Sequence, residues 1–275
     1  MPDIPGLRPL TARSAVLSTL LGAHPPRLPA RSLVTVGELF GITEGTIRVA
    51  LSRMVAAGDL RQVDGDYELT ERLVRRQTRQ DQSRSPATRP WSGDWEIAVV
   101  TADRRTPAAR TAFRQTMAAL RLAEVREGTW LRPANLERRA QFRSPADLRW
   151  QPPSPAQSPA RRPVSNRARP LDPPCLVLLG RPTSDPAALA ARLWDLPGWA
   201  DRARLLHDGL DEAAESGDLP AGFIVSAAVL RHLVADPLLP APLLPADWPG
   251  AELRARYERF DETFQSVLRA HLGVA

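Results

Sequence analysis

Residues 35–69, TVGELFGITEGTIRVALSRMVAAGDLRQVDGDYEL, pack two helical patterns and a hairpin signal into so short a stretch that few folds accommodate them. Val36 to Phe40 predicts a short amphipathic helix, ended by a turn at Gly41-Ile42. Thr43 is placed to cap a second helix, its hydroxyl satisfying a free amide of the first turn. In that helix Ile47, Ala50, Leu51 and Met54 recur at the spacing of one buried stripe. The opposite stripe carries Thr46, Arg48, Val49, Ser52 and Arg53, side chains that reach phosphates and base edges when a helix lies in the major groove. Gly58 ends the helix. Asp64-Gly65 between two extended runs is a hairpin signal, which supplies a wing and places Arg61 on its first strand. Read together, the segment is a winged helix-turn-helix. The same order also occurs as a purely structural unit, in which Arg48 and Arg53 are merely solvated.

With 275 residues the chain is long enough for two or three small domains. No apolar run approaches the roughly 18–20 residues of a membrane span. The first residues, MPDIPGLRPLTARSAV, lack the charged-then-apolar order of a secretory signal. One cysteine, Cys175, excludes an internal disulfide framework, and no Cys/His spacing suggests zinc. A cytoplasmic location is the expectation, with no membrane partner and no cofactor.

All 37 basic residues are arginine. With so much Ala, Pro and Leu, part of this reflects a GC-rich coding sequence, so bulk charge says little about nucleic acid. Its distribution says more. Residues 1–90 carry net +4 and residues 171–275 net −6, so a polyanion is expected at the front of the chain.

An apolar helix over Ala12 to Gly22, with Val16, Leu17, Leu20 and Leu21 inward, precedes a Pro-rich turn and the helix-turn-helix. Thr70-Glu71 opens a further helix with Arg72, Arg75, Arg76 and Arg79 along it. Such a run is ordinarily a solvated face, with DNA backbone contact as the alternative. Ser83 to Pro90 reads as a linker. From Trp91 a strand (Ile97 to Val100), a helix through PAARTAFRQTMAALRLAEV and a strand (Thr129 to Pro133) form half of a split β-α-β, ferredoxin-like domain. The other half includes a strand at Cys175 to Gly180. Between them, residues 144–174 are Pro/Arg/Ser-rich and are expected to be an insertion without a packed core. The remainder predicts helices broken at Pro197-Gly198 and a long helical tail on both sides of a Pro-rich centre. The fold class is therefore α+β. Its modules are a winged helix over 10–82, a ferredoxin-like domain over 91–180 and a mainly helical domain over 181–275.

Three separated stretches carry a family likeness: GITEGTIRVALSRMVAAGDL, WEIAVVTADRRTPAARTAFRQTMAAL with EGTWLRPANL, and the Pro-spaced RHLVADPLLPAPLLPADWPG. In this order they resemble the PaaX family of bacterial repressors. The resemblance implies a homodimeric regulator that binds double-stranded operator DNA, with a central domain similar to small CRISPR-associated nucleases and a helical effector and dimerisation domain. Repression of a catabolic operon, relieved by a small acyl-CoA or aromatic-acid effector, is what such a likeness implies. It places recognition-helix contacts at Thr43, Thr46, Arg48, Val49, Ser52 and Arg53 and gives no effector residues; Arg61 on the wing is expected to join them in contacting DNA.

The competing chemistry is metal-dependent phosphodiester hydrolysis. Asp103 follows the first central strand where the related nucleases hold a metal, and hard cations want carboxylate oxygens. Its structural role would be to cap the helix that begins near Thr106. No GxSxG, Walker or HExxH motif occurs. His24, His207, His232 and His271 are scattered and read as surface or helix residues. Cys175 reads as a buried hydrophobe. Trp194, Trp199 and Trp248 are candidates either for an apolar pocket or for core packing. The chain is not expected to be an enzyme.

Overall fold

The apolar stripe of Val16, Leu17, Leu20 and Leu21 is buried along α1 (Ala12–Gly22). Thr11 and Ser14 close this helix's N-terminus reciprocally: the Ser14 amide donates to Thr11 Oγ1 at 3.1 Å and the Thr11 amide to Ser14 Oγ at 2.8 Å. The computed structural model of the chain describes residues 4–101, 106–137 and 175–272. These fall into two compact units. Residues 1–86, 197–236 and 247–275 form the first, and residues 87–196 and 237–246 the second.

In the first unit α1 is followed by β1 (Arg27–Pro29), α2 (Ala30–Leu39), α3 (Glu44–Ala56), β2 (Leu60–Val63), β3 (Asp66–Leu69) and α4 (Glu71–Arg84). The strands form an antiparallel sheet in the order β1-β3-β2. Asp64 and Gly65 have φ of 52° and 88°, so both turn residues are left-handed, the geometry in which a two-residue hairpin matches strand twist. Two local readings of the sequence need correction. The stretch before α2 is a strand rather than only a Pro-rich turn, and α2 begins at Ala30 instead of Val36. Ser83 and Arg84 end a helix instead of opening a linker, and Ser83 is fully buried.

One core joins α1, α2, α3, the sheet and α4 through Leu20, Leu33, Ile47, Leu51, Met54 and Leu73. A second core brings α2 to the C-terminal helices α7 (Leu196–Ser216), α8 (Leu219–Ala235) and α9 (Gly250–Leu272). There Val36 and Phe40 meet Leu206, Phe223, Val229 and Phe260, and the Phe40 and Phe223 ring centroids lie 4.7 Å apart. The basic first segment and the acidic last segment thus share apolar packing, which the sequence pattern did not indicate.

The second unit is built on a four-stranded antiparallel sheet in the order β5-β6-β4-β7, formed by β4 (Trp95–Val100), β5 (Ala123–Arg126), β6 (Thr129–Pro133) and β7 (Cys175–Gly180). This is the strand order of a split β-α-β sheet. Helix α5 (Pro107–Ala119) packs Phe113 and Met117 against Ala98, Trp130 and Cys175. The helix stops at Ala119, short of the reading that carried it to Val125. Arg121 takes φ 62° and the Leu122 amide donates to the Met117 carbonyl at 3.0 Å, after which the chain turns into β5. Helix α6 (Pro186–Leu193) follows β7. The Pro-spaced segment is held to this unit by fully buried Arg132 and its neighbour Asn135. Arg132 donates to Asn135 Oδ1 at 2.9 Å, and Asn135 Nδ2 donates to the Leu238 carbonyl at 3.0 Å. The Pro/Arg-rich stretch 144–174 lies outside the described residues.

Candidate nucleic-acid interface

The α2–α3 pair is set by a missing side chain. A β-carbon on Gly37 would lie 2.5 Å from Ile47 Cγ1 and 2.7 Å from Cδ1, so only glycine lets Ile47 seat against α2. Gly41, at φ 70°, makes the turn, and the Ile42 amide returns to the Gly37 carbonyl at 2.9 Å. Thr43 then caps α3, accepting from the Thr46 amide at 3.4 Å while the two hydroxyls bond each other at 2.9 Å.

This seating divides α3 into two faces. Ile47, Leu51 and Met54 are at most 1 % exposed, and Ala50 is half-buried. Thr43, Thr46, Arg48, Val49, Ser52 and Arg53 are all exposed, as is Arg61 on β2. Val49 leaves half of its surface in solvent, an unusual place for a branched apolar residue. The sequence-derived positions therefore fall on one open surface of α3, with Arg61 on the neighbouring hairpin. Two of the arginines have internal partners. Arg48 pairs with Glu44 at 2.6 Å and Arg61 with Glu68 at 2.7 Å. The Arg48–Glu44 pair is solvent-exposed, so it is worth at most about 1 kcal/mol and yields readily to a competing anion, whereas Glu68 is half-buried beneath an exposed Arg61. Arg53 meets no carboxylate within ion-pair distance among the described residues. Ser52 donates to the Arg48 carbonyl at 3.1 Å.

Two devices fix the hairpin relative to α3. Asp59, 2 % exposed at the end of α3, receives Arg13 from α1 and Arg72 from α4. On β1, Arg27 donates Nε to Asp66 at 2.8 Å and Nη2 to the Val63 carbonyl at 3.1 Å, bracing the Asp64-Gly65 turn. Its hydrogen bond to Asp66 is the largest influence raising the Arg27 guanidinium above its ordinary range, with burial opposing it. The sequence reading missed Asp59, Arg13 and Arg27. Their partners are distant along the chain, and no spacing marks them.

Further along α4 the arginines divide by exposure. Arg72 and Arg75 are open to solvent, whereas Arg76 is half-buried. Burial first, then the charges of Arg79, Arg8, Arg13 and Arg72, holds the Arg76 guanidinium below its ordinary range.

The aromatic candidates pack. Trp199 is sandwiched between His232 and Trp248, with ring centroids 4.4 and 4.5 Å away, and Trp194 stacks on Trp95 in the second unit. Burial is the first cause that lowers the His232 pKa. His24 approaches Asp81 at 3.3 Å, and His207 lies 3.4 Å from Asp211. Cys175 is fully buried in the sheet. Asp103 lies outside the described residues, and no group of three or more His, Cys, Asp or Glu able to hold a metal occurs among the described ones. No described helix is long and apolar enough to cross a membrane.

Paired helices with a glycine-seated crossing, a braced hairpin, a split β-α-β sheet and a C-terminal helical layer define an α+β protein of several modules. Models of the PaaX-like protein match residues 11–73, those of the PaaX central Cas2-like domain residues 88–144, and those of the PaaX-like C-terminal domain residues 200–273. The chain belongs to the PaaX family, and that membership points to a transcriptional regulator. A similar solved structure is the uncharacterized protein Rv0674 from Mycobacterium tuberculosis. It shares 40% sequence identity at a TM-score of 0.70, covering 95% of this chain and 99% of that one. No curated protein matches the chain significantly.

Proposed function

We propose that the first unit carries a winged helix-turn-helix in which α3 reads the major groove and the β2–β3 hairpin contacts adjacent backbone. The observation that carries this reading is the divided surface of α3: one stripe is sealed against α2, and the other presents arginine, hydroxyls and an exposed valine. Arginine suits guanine edges, and an apolar group such as Val49 suits a thymine methyl. In this reading Thr43, Thr46, Arg48, Val49, Ser52, Arg53 and Arg61 are the contact residues. Segments 10–82, 91–180 and 181–275 act as DNA-binding, central and effector-dimerisation modules. The chain works as a homodimer on a roughly palindromic operator, with half-sites about 34–36 Å or a multiple apart. It represses a catabolic operon, and a small acyl-CoA or aromatic-acid effector releases it by favouring a dimer geometry that no longer matches that spacing.

The test is double-stranded DNA selected by the full chain from a random pool, with affinity followed by fluorescence anisotropy. Arg53→Ala and Arg48→Ala should each cost about 1–3 kcal/mol on the selected site, with circular dichroism unchanged. Affinity should fall steeply with salt as counterions are released. Unchanged binding by both variants, or a salt-insensitive titration, would remove recognition from α3.

A further inference from the structure

The segment before α1 carries a cation to a fixed place. Ile4 is buried against α7, where it fills the space that a side chain on Gly209 would need. Leu7 and Leu10 pack partly against the same core, and Thr11 caps α1, so exposed Arg8 is held between anchored neighbours. Near it stand the half-buried arginines Arg76 and Arg79 of α4, Arg202 of α7 and Arg231 of α8. Arg76 and Arg231 line one cleft of the first unit. Arg8 acts through its charge on both of them, Arg79 on Arg76, and Arg202 on Arg231.

None of these five arginines meets a carboxylate within ion-pair distance among the described residues. The acidic groups at the cleft are engaged elsewhere, Asp81 with His24 and Asp261 with Arg84. An arginine-rich composition does not account for the pattern. Arg13, Arg72, Arg75, Arg84, Arg254 and Arg256 of the same unit each have a carboxylate partner. Burial comes first among the causes lowering the Arg76 and Arg231 pKa values, and repulsion between the arginines adds to it. Gathering half-buried cations that repel one another, with no internal counter-charge, is unfavourable in the free protein. An outside polyanion would reverse the sign of that interaction.

We infer that Arg8, Arg76, Arg79, Arg202 and Arg231 form a second DNA contact, a track that holds phosphate backbone beyond the stretch read by α3 and the hairpin. The inference rests on the proposed DNA-binding function and extends it to the helical layer. The track is continuous with that surface. Arg13 and Arg72, which meet at Asp59 where α3 gives way to β2, also act on Arg76, and α4 follows β3 directly. Guanidinium groups on packed stems suit the regular phosphates of a duplex better than the flexible carboxylates of an acidic peptide. Phosphate contacts carry no sequence information, so the track supplies affinity and orientation while α3 supplies specificity. Arg202 and Arg231 belong to the acidic last segment, which thereby places its own cations where the duplex would run.

The test is the salt dependence of binding by the full chain to its selected duplex and to an unrelated duplex of equal length, followed by fluorescence anisotropy. The double variant Arg76→Gln/Arg231→Gln should weaken both duplexes by the same factor, about tenfold at about 0.15 M salt, and reduce the log–log salt slope by about 2. Arg8→Gln and Arg202→Gln should each reduce the slope by about 1. Arg231→Lys keeps the charge and should keep the slope. Relief of repulsion should leave the melting temperature of each Gln variant equal to or above that of the parent. An unchanged slope in the double variant overturns the inference, as does poly-L-glutamate displacing the duplex as well as unlabelled duplex does at equal charge concentration. Arg48→Ala and Arg53→Ala read the α3 contact separately. If they bind normally while the track variants lose slope, the α3 reading falls and the track stands. A chain that binds no duplex overturns both.

Discussion

Ile47 occupies the space that a side chain on residue 37 would need, with its Cγ1 2.5 Å from an ideal β-carbon there. The contact fixes how closely α2 and α3 approach and hence how far the open face of α3 projects.

Gly37→Ala should therefore destabilise the protein by about 1–3 kcal/mol through overpacking. Urea unfolding gives the measurement. Adding Ile47→Ala, which removes both Cγ1 and Cδ1, should cost less in the Gly37→Ala background than in the parent, because the truncated side chain leaves room for the new methyl. Strictly additive losses would show that the two positions do not compete for one space.

Asp59 holds Arg13 and Arg72 from a position 2 % exposed, while both arginines are largely in solvent. Asp59→Asn should cost about 2 kcal/mol, since two charge-assisted bonds weaken but the released arginines can hydrate. Chemical denaturation at low and high salt should show the parent's advantage persisting at high salt, because the carboxylate is shielded from solvent.

Arg84 ties α4 to α9 through Glu258 and Asp261 and lies 5.2 Å from the Tyr257 ring centroid. Its hydrogen bond to Glu258 is the largest influence on its guanidinium and raises that pKa well above the ordinary range. Arg84→Met keeps the stem but leaves two carboxylates beside a buried phenol, and should destabilise by about 2–3 kcal/mol. Thermal unfolding near neutral pH checks this. Part of the loss should be recovered at mildly acidic pH, where the orphaned carboxylates can take up protons.

His232 lies against Trp199 in a setting that lowers its pKa below 6.5, chiefly through burial. The unfolded chain therefore binds a proton more readily than the folded one. Stability from this group is fully present above the unfolded value and declines as pH falls through about 6.5 towards the folded value. His232→Gln should flatten the drop in melting temperature between pH 7.5 and 5.5. An unaltered slope would locate the acid sensitivity elsewhere.

What the sequence made legible was local. Ile47, Leu51 and Met54 sit at helical spacing, Thr43 precedes them, and Asp64-Gly65 pairs a residue that tolerates left-handed backbone with one that adopts it freely, so chemistry and geometry coincide within a few residues. Strand β5 was hidden because Leu122 to Val125 continues the amphipathic pattern of α5, and Arg121, not glycine, makes the turn. The three-residue β1 was masked by the prolines around it. That Arg76 of α4 and Arg231 of α8 line one cleft was hidden for another reason. The two are far apart in the chain and stand among 37 arginines. Periodicity shows that Phe40 must be buried, but not that Phe223 buries it.

That last contact bears on how the protein is made. Val36 and Phe40 share their core with Phe260 and Phe264 of α9, so the earliest helices have no complete surface to fold against until the latest ones exist. Domains ordinarily fold in order as they emerge during synthesis, at about 5–20 residues per second. Here the second unit, carried largely by the middle of the sequence, can collapse first. The α3 stripe can settle on α1, α2 and α4, but the Val36 and Phe40 face of α2 must wait for α8 and α9. Ribosome-bound or prematurely ended chains should then be open to aggregation and proteolysis at that uncovered face.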